Sequence, residues 1–287
     1  MEIKKLPKEK FPKALLEIPQ PPENLWVIGE LPPNDHVCLA VVGSRKNTSY
    51  GREACEKIIA GLKGYPIVIV SGFAMGIDTI AHKKAMDVGL KTAVFPGSGL
   101  SKEAIFPKMN VPLMDEVLKH GGCLISEFEP DFKATSWGFP MRNRLMAGIS
   151  KAVLIVEAEE RSGTLITARL TTEYNRDLLV VPGSIYSPNS KGTNKLLKQG
   201  ATPVAESSDV LEALGFKPEK DDQRQKSLFL DLLPEEKKIV SMLREPVPRD
   251  ELISAMKVST PEANAILSIM EIKGLIREEL GEIKMNL

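Results

Sequence analysis

From His36 onward the chain repeats one pattern: a short, uninterrupted apolar run, then a longer segment in which apolar residues recur every three or four positions. The runs are HVCLAVVGS, YPIVIVSG, KTAVFPGSG, GCLISE, KAVLIVEA and LLVVPG. They have no polar alternation, so they predict strands covered on both faces of a sheet. The segments between them, GREACEKIIAGLKG, GIDTIAHKKAMDVG, PLMDEVLKHGG, RLMAGIS and GTLITARLTTEYNR, have helical period and close near glycine or a basic residue. Strand and helix in alternation require right-handed crossovers. The expected fold is therefore α/β: a doubly wound, mostly parallel Rossmann-like sheet over residues 35–215.

The pattern breaks at both ends. Residues 1–34 carry Pro7, Pro12, Pro19, Pro21, Pro22, Pro32 and Pro33, which predicts a Pro-rich lead-in arm, extended and packed on a neighbour. Residues 216–231 include KPEKDDQRQK, charged and without apolar period, as expected of a solvated linker. Within 232–287, LPEEKKIVSML, RDELISAM and TPEANAILSIMEIKG predict three helices, and LIREELGEIKMNL predicts a hairpin around Gly281. Three helices and a hairpin describe a small C-terminal winged-helix domain.

Composition narrows the function. Lys plus Arg and Asp plus Glu both count 38 in 287 residues, so a nucleic-acid site must be a local basic patch on a neutral body. Cys38, Cys55 and Cys123 form no CxxC pair and have no neighbouring His cluster, so neither disulfides nor a metal are expected, and a reducing cytoplasm fits. No apolar stretch reaches the roughly 20 residues of a membrane span. There is no GxGxxG and no GxxxxGK[ST], so no dinucleotide or nucleoside-triphosphate cofactor is expected.

The chemistry is expected at strand ends, where glycines and hydroxyls gather. In VVGSRKNTSYG, Gly43 allows a sharp turn, the amides near Ser44 and Arg45 can meet an anion, and Arg45 can fork onto phosphate; a plain surface arginine is the alternative. In SGFAMGID, Gly72 and Gly76 permit close backbone approach, and Asp78 in the first helical turn reads as a structural cap. His82, one turn on, can pair with it as scaffold, since no nucleophile completes a triad. FPMRNRLMAG concentrates Phe139, Arg142, Asn143 and Arg144, a ring to stack a base and cations for phosphate. A salt-bridged helix start using Glu127 or Glu129 is the competing reading. Ser162, Gly163 and Thr164 in VEAEERSGTLITA offer further donors, and Lys191 in PGSIYSPNSKGTNKLL could extend a basic rim.

Taken in order, GSR, SGFAMGIDTIAH, FPMRNRLMAGIS, VEAEERSGTLITA, VPGS and GTNKLLKQGA resemble the signature of the DNA-processing protein A (DprA/Smf) family, over roughly residues 19–287. The resemblance implies a non-enzymatic, cytoplasmic, homodimeric protein. It would bind single-stranded DNA, protect it, and load a RecA-type recombinase onto it in natural transformation. Carried onto this chain, it implies a DNA site of Gly43, Ser44, Arg45, Phe139, Arg142, Asn143, Arg144, Ser162, Gly163 and Lys191. It also implies that the N-terminal sterile-alpha-motif-like domain of many relatives is missing.

Residues 232–287 hold eight basic and ten acidic side chains, and the third helix offers only Lys273 as a cation. That composition suits packing or partner recruitment better than reading of duplex DNA. Two rival functions start from the same fold. A nucleotide-processing hydrolase of the phosphoribohydrolase type uses a PGGxGTxxE loop; this chain has ERSGTLITA, leaving only Asp78 or Glu157 as acids. A nucleotide-sensing transcription regulator would need the winged helix to bind duplex DNA.

Overall fold

A computed structural model describes residues 2–217, 233–243, 246–273, 275–279 and 281–285. They fall into two compact units, divided after Pro218. Most of the expected linker, residues 218–231, lies outside the described residues.

The first unit holds the strands β1 (Lys4–Lys5), β2 (Trp26–Gly29), β3 (Val37–Val42), β4 (Ile67–Ser71), β5 (Lys91–Val94), β6 (Cys123–Ser126), β7 (Ala152–Ile155), β8 (Asp177–Val180) and β9 (Thr202–Pro203). Among the described residues these form one sheet in the order β1-β2-β6-β5-β4-β3-β7-β8-β9. From β6 across to β9 every pairing is parallel, while β1 and β2 run antiparallel. The helices are α1 (Lys13–Leu16), α2 (Ser49–Gly61), α3 (Ile77–Asp87), α4 (Val111–Lys119), α5 (Gly138–Ile149), α6 (Thr164–Glu173), α7 (Lys191–Lys198) and α8 (Ser207–Ala213).

The unbroken apolar runs follow from two covered faces. Cys38, Ala40 and Val42 of β3 point into one core with Val68, Val70, Val153 and Ile155, while Leu39 and Val41 point into the opposite core with Ile67, Ile69 and Leu154. Successive side chains on a strand alternate faces, so a strand buried twice must be apolar throughout. α5 and α6 cover the first face; α2, α3 and α8 cover the second. The expected Pro-rich arm is more than a lead-in. Residues 1–34 supply β1, β2 and α1, and Phe11, Leu15, Ile18 and Leu25 are buried in the first core. Their prolines hide the strand period, and the ladder is confined to the sheet edge, where a missing N–H is tolerated.

β3 lies between β4 and β7. The chain winds one way from β3 to β6, then returns through α5 to β7 and winds the other way. The ends of β3 and β7 therefore diverge at a topological switch point, where an open parallel sheet leaves a crevice.

The second unit contains α9 (Pro234–Met242), β10 (Val247–Pro248), α10 (Arg249–Met256), α11 (Thr260–Ile272), β11 (Ile276–Glu279) and β12 (Glu282–Met285). Its sheet is antiparallel in the order β10-β12-β11, with Gly281 at φ +81° turning β11 into β12. Ile239, Leu252, Met256, Leu267, Met270, Ile276 and Ile283 form its core. On α11, Asn264 accepts from Arg249 (2.9 Å), and Lys273 after its end donates to the buried Glu236 (2.6 Å), while Ile269 and Ile272 are exposed. The amide and the cation at this helix are thus committed within the unit.

No helix among the described residues is long and apolar enough to cross a membrane.

Candidate nucleic-acid interface

The crevice at the β3/β7 switch point is a cleft of about 500 Å³. The turn after β3 contributes Gly43, Ser44, Arg45 and Lys46. The start of α5 contributes Phe139, Pro140, Arg142 and Asn143, and the start of α6 contributes Arg161, Ser162, Gly163 and Thr164. Hydrogen bonds order the turn and fasten α6 to it. Thr164 Oγ1 donates to Gly43 O (3.2 Å), tying α6 to the end of β3, and Ser44 Oγ accepts from Lys46 N (3.1 Å), folding the turn. Gly76, at φ +78°, lies against the carbonyls of Ser44 and Arg45, where a Cβ would overlap both.

Arg45 is exposed and stands over the Phe139 ring, its Cζ 5.4 Å from the centroid. The contact aims a cation into the cleft without consuming its N–H groups. Asn143 is only 8% exposed, yet its amide has no hydrogen-bond partner among the described residues. The amide opens on the cleft instead, where it is available to a ligand. Across from them α6 begins without a side-chain cap; Ser162 Oγ accepts the Thr164 amide (3.2 Å), and a Cβ on Gly163 would meet nothing within 4 Å. The Thr164, Leu165 and Ile166 amides are taken up by Ser162 Oγ, Ser162 O and Gly163 O, so this end offers an anion chiefly its dipole. Arg45, Lys46 and Arg161 face one exposed acid, Glu159, so the rim is locally basic on a chain of zero net charge.

Three of the expected site residues are placed otherwise. Arg142 lines the cleft floor but is buried, and its guanidinium donates to Gly72 O and Phe95 O. Burial lowers its pKa to about 10, the nearby Asp78 carboxylate opposing that shift and Arg45 adding to it. Arg144 lies outside the cleft lining; it pairs with Glu127 and donates to Gln20 O (2.6 Å). Burial raises the Glu127 pKa against the pull of Arg144. For Arg144 the salt-bridged helix start, rather than phosphate binding, describes the geometry. Lys191 is exposed at the start of α7 and also outside the cleft. Conversely, Lys46 and Arg161 belong to the basic rim and lie inside the quoted motifs, but nothing in their spacing distinguishes them from solvated charges.

The two scaffold residues do not pair with one another. Asp78 accepts from the Ala74 amide (3.2 Å) and lies by Arg142, while burial raises its pKa. His82 Nδ1 instead meets Thr92 Oγ1 at 2.6 Å. Thr92 spends its only hydroxyl proton on Ile69 O (2.8 Å), so the ring donates from Nδ1. Burial, with Arg142 nearby, pushes the His82 pKa down to about 3. Glu157 accepts from Thr48 N (2.9 Å) and Thr48 Oγ1 (2.6 Å) at the start of α2. It borders a separate cavity of about 680 Å³ with Pro182, Gly183 and Ser190. The VPGS loop therefore opens on that cavity rather than on the basic cleft.

Fold and site together define a Rossmann-like α/β protein with a basic, amide-lined cleft at its switch point. Residues 3–215 match the family described as DNA recombination-mediator protein A, and the chain belongs to that family. It is 42% identical over 209 residues to protein Smf of Escherichia coli, covering 72% of this chain and 55% of that one. The matched region is thus about half of that relative's length. It is 39% identical to DNA processing protein DprA of Streptococcus pneumoniae over 206 residues, 72% of each chain. The solved Streptococcus pneumoniae protein superposes with a TM-score of 0.69 at 36% identity, over 74% of each chain. DNA processing protein A of Helicobacter pylori, for which a unique single-stranded DNA binding mode is described, gives 0.67 at 30% identity, over 74% of this chain and 95% of that one.

Proposed function

We propose that this chain binds single-stranded DNA in the β3/β7 cleft and passes it, protected, to a RecA-type recombinase during uptake and recombination of DNA. The observation that carries the reading is the free pair of donors around one ring: the Arg45 guanidinium over Phe139 and the unpartnered amide of Asn143 beside it. Arginine neutralises phosphate, the ring stacks a base of any identity, and the Asn143 amide with the dipole of α6 completes a grip that is sequence-tolerant. A duplex would hold its bases inside the stack, away from Phe139. The single-stranded DNA binding described for the Helicobacter pylori relative supports the same substrate.

The groups nearest the cleft favour binding over catalysis. His82 is buried and held neutral, Asp78 is engaged by Ala74 and Arg142, and Glu157 is engaged by Thr48. None of these three is free to serve as a general base, and the exposed acid on the rim, Glu159, is held by no side-chain hydrogen bond among the described residues that would orient it. A homodimer working in the cytoplasm is part of this reading. Its test is fluorescence anisotropy with labelled oligo-dT and the matching duplex across a salt series, for wild type and Arg45→Ala. Tight, salt-sensitive binding to the single strand that is largely lost in Arg45→Ala is expected. Duplex preference, or indifference to Arg45, would overturn it. Loading is checked separately, by whether the full chain accelerates RecA filament formation on oligo-dT covered by a single-strand-binding protein.

A further inference from the structure

We propose that Phe106 is a second base platform, receiving the nucleotide adjacent to the one stacked on Phe139. The proposal rests on the single-strand reading above. Phe106 lies in the loop between β5 and α4, outside the cleft lining, and is 45% exposed although Ala104 and Ile105 just before it are buried. Its ring centroid is 6.0 Å from that of Phe139, with the planes inclined at 53°. Two rings stacked on one another would hide a face of each; this tilted contact hides neither ring behind the other. Arg45 thus neighbours Phe139 and Phe139 neighbours Phe106, a succession of contacts from the turn after β3 to a residue outside the cleft lining.

The platform is held in place before any ligand arrives. Asn110 donates to Phe73 O (2.8 Å) and Thr79 Oγ1 (3.0 Å), fastening the Phe106 loop to the loop before α3. That second loop carries Gly76, packed against the Ser44 and Arg45 carbonyls. Lys108 Nζ donates to the carbonyls of Lys102 (2.7 Å) and Glu103 (2.9 Å), closing the Phe106 loop on itself. A ring fixed in this way loses little freedom on stacking, which favours binding. Lys102 is exposed on the same loop and supplies a cation for the phosphate that follows. Met75 and Met109, on the two fastened loops, are exposed as well and add adaptable apolar surface.

The test compares oligo-dT affinity of the full chain with that of Phe106→Ala, Phe106→Tyr and Arg45→Ala. Phe106→Ala is expected to weaken binding about tenfold, from the value of one stacked base. Phe106→Tyr, which keeps the ring, is expected to stay within about twofold of wild type. Photocrosslinking of wild type with 5-iodouracil-substituted oligo-dT, followed by peptide mapping, needs no variant and is expected to mark Phe106 as well as Phe139. Wild-type affinity in Phe106→Ala with no adduct at Phe106, while Arg45→Ala loses binding, overturns the second platform and leaves the single-strand reading standing. Failure of wild type to bind oligo-dT overturns both.

Discussion

The Arg142 guanidinium fills the space that a Cβ on Gly72 would occupy, and the same guanidinium donates to the Gly72 carbonyl. A second bond to Phe95 O joins the ends of β4 and β5 to the start of α5, the helix that presents Phe139 and Asn143. Gly72 is therefore small to admit a protein group, not a ligand.

Gly72→Ala should displace that guanidinium and destabilise the first unit by about 1–3 kcal/mol, the usual cost of overpacking. Oligo-dT affinity should fall with it, because the displaced contact positions Phe139. Urea unfolding and anisotropy on the same preparation check both effects; an alanine variant as stable as wild type would show that Arg142 relocates at no cost.

His82 makes stability depend on pH. Its pKa is about 3 in the folded chain against about 6.5 when exposed, so between these values the unfolded state binds more protons. The His82 contribution is complete above pH 6.5 and is lost as pH falls through that window, at about 1.4 kcal/mol per unit. About 2 kcal/mol should therefore disappear between pH 6.5 and 5. His82→Asn can still donate to Thr92 Oγ1 but does not titrate. Its urea midpoint should fall less steeply over the same range, and parallel slopes would contradict the assignment.

Arg144 and Arg142 show what sequence pattern could and could not reveal. The alternation of apolar runs with amphipathic segments made the parallel sheet readable, since double burial forces unbroken apolar strands. It also brought Arg45, Phe139, Asn143 and Ser162 to one rim, because strand ends in this architecture share an edge. It could not tell a cation aimed at solvent from one turned inward. Arg142, Asn143 and Arg144 are consecutive on one helix, and only the packing of α5 decides that both guanidinium groups spend their terminal N–H groups on the protein while the amide between them has no partner among the described residues. The antiparallel edge strands were hidden for a different reason: proline-rich segments have no period to read, and β1 spans only Lys4–Lys5.

Arg144→Ala should act on stability, leaving Glu127 buried without its cation and Gln20 O without its donor. Breaking such a pair costs about 3–5 kcal/mol. The binding affinity of the molecules that remain folded should match wild type, since Arg144 does not line the cleft. Chemical denaturation together with active-site titration separates the two quantities. A stable variant with weak DNA binding would return Arg144 to the DNA site.

Asn143 should behave in the opposite way. Its amide opens on the cleft without a protein partner among the described residues, so Asn143→Ala removes a polar group that the fold does not use. Stability should be unchanged or slightly higher, within about 0.5 kcal/mol. Affinity for oligo-dT should drop about tenfold or more, the worth of one hydrogen bond to a charged phosphate. Asn143→Asp, which places a carboxylate beside the strand's phosphates, should weaken binding further and make the loss larger at low salt, where repulsion is least screened. Thermal melts paired with anisotropy decide the matter: a destabilised Asn143→Ala with intact binding would mean that the amide serves the fold, and that the cleft grips DNA without it.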